Sequence, residues 1–253
     1  SDLENFPVEM YSGVGGNLQG TPVVCGGYHM SSTYSDKCYK FTTTGGWQEF
    51  ASMKYKRAYA AGIVYQKKLH VFGGDDGSRL QSSEIISEDG GVIDGPDLPT
   101  VVYGPAITAI NSTVSILSGG WTNSVSSQTW FYNHETETFS SGPTLLIGRI
   151  YHASATIVDK VTKAKIPVVT GGYNNGYLDS TELLIDGQWQ TGKIQCRKQN
   201  IFFEFAFIVL FVCHVSIAFH LSLFFTHFRT TFAKSTLWPF HAGNPGRPIC
   251  LWR

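Results

Sequence analysis

The side chains able to do chemistry are thinly spread. Four of the eight histidines, His29, His70, His134 and His152, fall within residues 1–192, about one per fifty residues. Imidazole nitrogen is a preferred ligand of zinc, copper and nickel, yet no two of these histidines stand at a recognisable ligand spacing. His70 lies inside an apolar run and reads as a core or packing residue. His134 lies in a polar turn and reads as solvated. His29 and His152 stand at strand ends and are the only two expected to face a common surface. Asp75-Asp76-Gly77 offers carboxylates to calcium but lacks the other oxygen ligands that such a loop supplies, so it reads as a solvated loop. No Gly-x-Ser-x-Gly, His-Glu-x-x-His or phosphate-cradling motif occurs. The expectation is a non-enzymatic protein with no catalytic residues, no metal and no cofactor.

What would position a binding surface is a repeat. Short apolar runs end in paired glycines at Gly26-Gly27, Gly73-Gly74, Gly119-Gly120 and Gly171-Gly172, about 47, 46 and 52 residues apart. Self-similarity at this period marks propellers or other repeat arrays. Each run has the β-branched composition of a buried strand. A polar loop follows, then a second strand (Cys38–Phe41, Glu84–Ile86, Thr129–Tyr132 or Glu182–Ile185), a turn, and an outer strand headed by Trp47, Val92, Phe139 or Trp189. The chain then crosses to a further strand, visible at Ala58–Val64, Pro105–Ile110 and Tyr151–Val158, with Met10–Val14 supplying that strand for the first unit. Four short strands per period without amphipathic helices predict an all-β fold of about four four-stranded blades. The divisions fall near 8–50, 51–95, 96–141 and 142–192.

The order apolar run, Gly-Gly, polar loop, strand, turn, Trp and then Arg resembles the kelch repeat, over about residues 8–192. Trp47 and Trp189 keep the tryptophan, and Arg57 and Arg149 stand where the kelch pattern has its arginine. Gly148-Arg149-Ile150-Tyr151-His152 is the nearest match. The resemblance implies a kelch-type β-propeller of the galactose oxidase-like superfamily. Kelch-like rings have about five to seven blades, so four copies imply an incomplete ring. Galactose oxidase, similar in fold, holds copper with tyrosines and histidines, and the present histidines offer no such set. Kelch-like adaptors of ubiquitin ligases hold a peptide on one rim, which implies the same use here.

In such blades the loops after the glycine pairs and the crossings after the outer strands line one rim. Candidate partner-binding residues are therefore Tyr28, His29, Tyr34, Arg57, Asp75, Asp76, Arg79, Trp121, Asn123, Arg149, Tyr173, Asn174 and Tyr177. Three of the four residues following Gly-Gly are aromatic, and aromatics with arginines compose binding hot spots. Arg57 and Arg149, recurring within the repeat, also read as structural. The expected partner is a protein or peptide, with a glycan as alternative ligand.

Charge divides the chain. Residues 1–192 carry 18 of the 19 acidic and 12 of the 19 basic residues, and residues 193–253 carry one acidic and seven basic. The acidic first part argues against a nucleic-acid footprint. The second part holds 11 of 17 phenylalanines but two of 27 glycines, so a boundary is expected near Gly192. Within it, 205–225 has no Asp, Glu, Lys or Arg and is long enough to span a bilayer. It reads either as a membrane anchor or as sequence foreign to the fold; the abrupt break favours the latter. Cys25 and Cys38 should lie on neighbouring strands, either bridged, as suits a secreted protein, or as buried free thiols. Asn111-Ser112-Thr113 is the chain's one glycosylation sequon. Membrane-anchored or extracellular placement is expected ahead of cytoplasmic.

Overall fold

The computed structural model describes residues 5–159 and 162–192. The tail at 193–253, the span at 205–225 and the break after Gly192 lie outside the described residues. Among the described residues no helix is long and apolar enough to cross a membrane.

Every described element is a strand. The first four-stranded antiparallel sheet is β2 (Val14–Leu18), β3 (Thr21–Cys25), β5 (Lys37–Thr42) and β6 (Gly46–Ser52). The second is β7 (Ala61–Tyr65), β8 (Lys68–Phe72), β9 (Ser83–Ser87) and β10 (Val92–Asp94); the third is β11 (Ala106–Ala109), β12 (Val114–Ser118), β13 (Thr129–Asn133) and β14 (Thr138–Ser141). The fourth is β15 (Ala153–Val158), β16 (Lys165–Thr170), β17 (Thr181–Ile185) and β18 (Gln188–Thr191). All are blade-like, pairing strand to strand in chain order. The expected division at residues 50 and 51 falls inside β6 and moves to its end.

The first strand of the first sheet also differs from expectation. Met10–Tyr11 (β1) does not belong to that sheet but pairs with Tyr28–His29 (β4). The sheet begins at Val14 because Gln19 and Gly20, with φ of 53° and 94°, form a two-residue turn between Leu18 and Thr21. Left-handed backbone at both central positions matches the twist of a hairpin. The β1–β4 pair is the longer form of a recurring bridge: Ala58 pairs with Asp75, Tyr103 with Trp121 and Ile150 with Tyr173.

Successive first strands lie side by side, β2 against β7, β7 against β11 and β11 against β15. Apolar residues accordingly gather between sheets rather than at one centre. Val14, Leu18, Leu69, Val71 and Ile86 join the first and second sheets; Ala61, Phe72, Leu117, Trp130 and Tyr132 join the second and third; Ile116, Val169 and Trp189 lie between the third and fourth. Cys25 and Cys38, directly opposed on β3 and β5 and fully buried, form a disulfide with Cα atoms 4.0 Å apart. Its short loop confines the unfolded chain by about 3 kcal/mol.

The glycine pairs are required by these junctions. All eight have positive φ, between 62° and 112°. A Cβ on the first glycine would meet the carbonyl oxygen of the crossing to the next sheet: Arg57 at 2.4 Å from Gly26, Val102 at 2.5 Å from Gly73 and Arg149 at 2.4 Å from Gly119. The second glycine donates its N–H to that same carbonyl, at 2.8 Å in all three cases. At Gly171 the nearest atom is Leu178 O, at 3.7 Å.

Candidate functional site

The crossings position the site. After each of the three, a residue in left-handed conformation leads towards the next first strand, Tyr59 (φ 55°), Gly104 (65°) and Tyr151 (58°), and Ser12 (57°) holds the same place before β2. Their backbones form a hydrogen-bonded chain across the four sheets. Tyr59 N–H donates to Ser12 O at 3.0 Å, Gly104 N–H to Tyr59 O at 2.7 Å and Tyr151 N–H to Gly104 O at 3.0 Å. The position suits glycine, as Gly104 illustrates, yet two repeats place a tyrosine there. A bulky side chain at positive φ stores strain, and such outliers concentrate at functional sites.

The two strained tyrosines line a recess of about 610 Å³ with Tyr34, Asp75, Gly77, Ser78, Arg79, Tyr103 and Trp121. The rings of Tyr59, Tyr103 and Tyr151 lie 5.4–6.1 Å apart, centre to centre. Tyr151 is 53% exposed despite this packing. Burial, then the neighbouring Tyr11 hydroxyl, raises the pKa of Tyr59; burial, then Tyr103, raises that of Tyr151. Both are neutral phenols at physiological pH, able to donate and accept. Tyr34 donates to Asp75 Oδ1 at 2.5 Å, and this bond to a carboxylate, then burial, pushes its pKa up to about 12. Asp75 Oδ1 also accepts from Gly77 N–H at 2.9 Å, and Asp76 Oδ1 from Ser78 N–H at 3.0 Å. One oxygen of each carboxylate is thus engaged by the loop's own backbone, and that of Asp75 by Tyr34 as well. A second, shallower recess of about 460 Å³ adjoins the first through Tyr34, between Ser32, Thr33 and Asp76 on one side and Lys54, Tyr55 and Lys56 on the other.

Of the residues expected from sequence, Tyr34, Asp75, Arg79 and Trp121 converge on the larger recess, and Asp76 on the smaller. Asn123 is exposed beside it and accepts a long 3.5 Å contact from Arg79. Tyr28 packs on Tyr11 and Tyr34, while His29 is tied into β4. The fourth loop stands outside both recesses. There Tyr173 packs on Tyr177, which is 95% exposed, and Asn174 donates to Gly148 O at 2.9 Å.

Arg57 and Arg149 leave the list of partner contacts. Both are buried, 1% and 0% exposed. Arg57 donates to Gly73 O at 2.7 Å, Ser82 O at 3.0 Å and Glu84 Oε1 at 2.5 Å. Arg149 repeats this with Gly171 O at 2.7 Å, Ser180 O at 3.2 Å and Glu182 Oε1 at 2.6 Å. Glu84 and Glu182 in turn accept the N–H groups of Lys54 and Tyr55, and of Leu146 and Ile147. The arginines thus fasten the crossings into the second and fourth sheets to the sheets that they enter.

Two histidines also differ from expectation. His134 is buried rather than solvated: its ring stacks on Tyr65 and its Nε2 lies 2.7 Å from Ser115 Oγ. His152 is buried, with Nε2 2.9 Å from Ser118 Oγ, so it does not share a surface with His29. His70 is interior, as expected. Among the described residues, no three His, Cys, Asp or Glu side chains come together as a metal site.

Sequence reasoning passed over Tyr59, and noticed Tyr103 and Tyr151 only as aromatics, Tyr103 at the end of a rim crossing. The signal that would have found them is positional. Counting two residues past Arg57 and Arg149 reaches Tyr59 and Tyr151, and the same count past Val102 reaches Gly104. No family model matches the chain, and no curated protein matches it.

Proposed function

We propose that the four sheets are blades of a kelch-type β-propeller that binds a protein or peptide partner at the tyrosine-lined recess. The observation that carries this reading is the pair Tyr59 and Tyr151, held at φ of 55° and 58° where a sister repeat uses Gly104. Strain retained at two equivalent positions serves the side chains, because the backbone alone would be better served by glycine. Rigid aromatic rings lose little conformational freedom on binding, and neutral hydroxyls at their tips satisfy peptide groups. Arg79 adds one cation beside Asp75, so the recess is amphipathic rather than strongly charged.

The test is a peptide-display selection against the full chain, repeated with Tyr59→Gly/Tyr151→Gly. Peptides selected on the native chain should bind the double variant at least tenfold more weakly. Its free energy of unfolding in urea should fall by only about 2 kcal/mol, since relieved strain offsets part of the lost ring packing and of the added flexibility of glycine. Undiminished binding by a folded double variant sinks the recess as the site.

A second reading, placement outside the cytoplasm, is favoured by the buried Cys25–Cys38 disulfide, since such bridges persist in oxidising compartments.

A further inference from the structure

At the other end of the third sheet from the recess, β11 turns into β12 through Asn111-Ser112-Thr113. Tyr103 and Trp121, at the opposite ends of those strands, line the recess. Asn111 is exposed, and its side chain has a fixed orientation. Its Oδ1 accepts the N–H of Thr113 at 2.9 Å and of Val114 at 2.7 Å, and lies 3.3 Å from the Thr113 hydroxyl. The carboxamide oxygen is therefore occupied by the turn. The amide nitrogen, Nδ2, has no protein partner among the described residues, and the residue that carries it is exposed. Ser112 is exposed and is not proline, so nothing in the turn blocks an approaching enzyme.

We propose that Asn111 carries an asparagine-linked oligosaccharide, placed on the face away from the recess. The sequon supplies the chemical requirement, and the folded turn, by engaging only Oδ1, leaves Nδ2 free to carry the sugar. The buried disulfide supplies an independent indication that the chain matures where such glycans are added. The donor is a lipid-linked oligosaccharyl diphosphate, brought by a membrane transferase. Nδ2 attacks its anomeric carbon, a C–N bond forms, and the C–O bond to the diphosphate breaks. The diphosphate leaves with the electron pair, and one Nδ2 proton passes to a base of the transferase. The Thr113 hydroxyl is the third group that the sequon requires, and in the folded turn it stays beside Oδ1, on the side away from the linked nitrogen. This proposal rests on placement outside the cytoplasm and not on partner binding at the recess.

The chain, immunopurified from tissue that expresses it, is mapped by mass spectrometry without reduction, before and after peptide-N-glycosidase treatment in heavy-oxygen water. The expected result is a Cys25–Cys38 linked peptide and conversion of Asn111 to labelled Asp. An oxidised chain with unmodified Asn111 overturns the glycan while leaving the compartment standing. A chain with free thiols and unmodified Asn111 overturns both, and neither outcome bears on the recess. In eukaryotic cells, with a cleavable leader on the full chain, Thr113→Ala and Asn111→Gln should each abolish the glycan mass, and Thr113→Ser should retain it. Because the sugar is added during translocation, chain retained inside the cell reads the result as well as secreted chain does. Loss of the glycan mass in Thr113→Ser as well as in Thr113→Ala would count against a role for the hydroxyl.

Discussion

The second and third sheets solve one junction in opposite ways. Into the second sheet the crossing sends Arg57, which pairs with Glu84 in full burial. Into the third it sends Val102, and Trp130 stands where Glu84 would be, both within an apolar cluster. The fourth sheet returns to the ionic form with Arg149 and Glu182. Yet the backbone is the same in all: Val102 O meets Gly74 N–H as Arg57 O meets Gly27 N–H, at 2.8 Å. The fold therefore needs the carbonyl, and the side chain that accompanies it is negotiable. What the ionic form adds is direction, because the guanidinium ties two carbonyls and a carboxylate that itself holds the next two amides. A buried ion pair adds little net stability over a well-packed apolar pair, but losing one partner is severe.

The largest effect should come from breaking that pairing. Arg149→Met strands Glu182 in the interior and is expected to cost about 3–5 kcal/mol in urea unfolding. Copying the third sheet into the second, with Arg57→Val and Glu84→Trp together, should cost less than Arg57→Val alone. If the double substitution is no milder than the single one, the two junctions are not interchangeable.

Acid probes the apolar junction instead. The third sheet's contacts enclose His134 and His152, and His70 faces His134 across the boundary with the second sheet at 5.2 Å. Burial pushes His70 and His134 down to about 4 and His152 down to about 3. Unfolded histidines bind protons below about 6.5, so the stability held by the neutral rings is intact above that pH. It falls as pH drops from 6.5 towards 4, by up to about 1.4 kcal/mol per histidine per pH unit. Urea midpoints at pH 7 and pH 5 measure this. His70→Phe should flatten the dependence, and an unchanged slope would remove His70 from the account.

The smallest expected difference lies between glycines. Gly119→Ala and Gly171→Ala both force alanine to positive φ, at about 1–2 kcal/mol each. Gly119→Ala alone also drives a methyl group against Arg149 O, so it should be the worse of the two in thermal melts. Equal losses would mean that φ, and not the neighbouring carbonyl, fixes these residues.

Much of the fold was legible because its signals are local. The glycine pairs located β3, β8, β12 and β16 and the loops after them, and the residues heading the outer strands were read in place at Trp47, Val92, Phe139 and Trp189. The first unit was misplaced because Met10 and Tyr11 do form a strand, but one that pairs with Tyr28–His29, while the sheet's own first strand runs from Val14 to the Gln19-Gly20 turn. The site was less legible. Aromatics after glycine pairs led to Trp121, but burial separated Arg57 from Tyr59, two residues away, and residue type does not reveal burial. His134, in a polar turn, is covered by Tyr65 from another sheet, a contact between residues 69 positions apart. Nor does composition announce that Tyr59 and Tyr151 sit at positive φ; only alignment with Gly104 does.

The backbone chain running from Ser12 through Tyr59 and Gly104 to Tyr151 has an evolutionary consequence. Each link joins main chain to main chain, so the hydrogen bonds themselves do not ask for one residue type, and the repeats hold Ser, Tyr, Gly and Tyr. Neighbouring positions are nevertheless coupled: a Cβ at Gly104 would meet the Ile150 and Tyr151 side chains at 2.6–2.9 Å. A substitution at Gly104 therefore has to be accompanied by movement of Tyr151, while the joints between sheets are left alone.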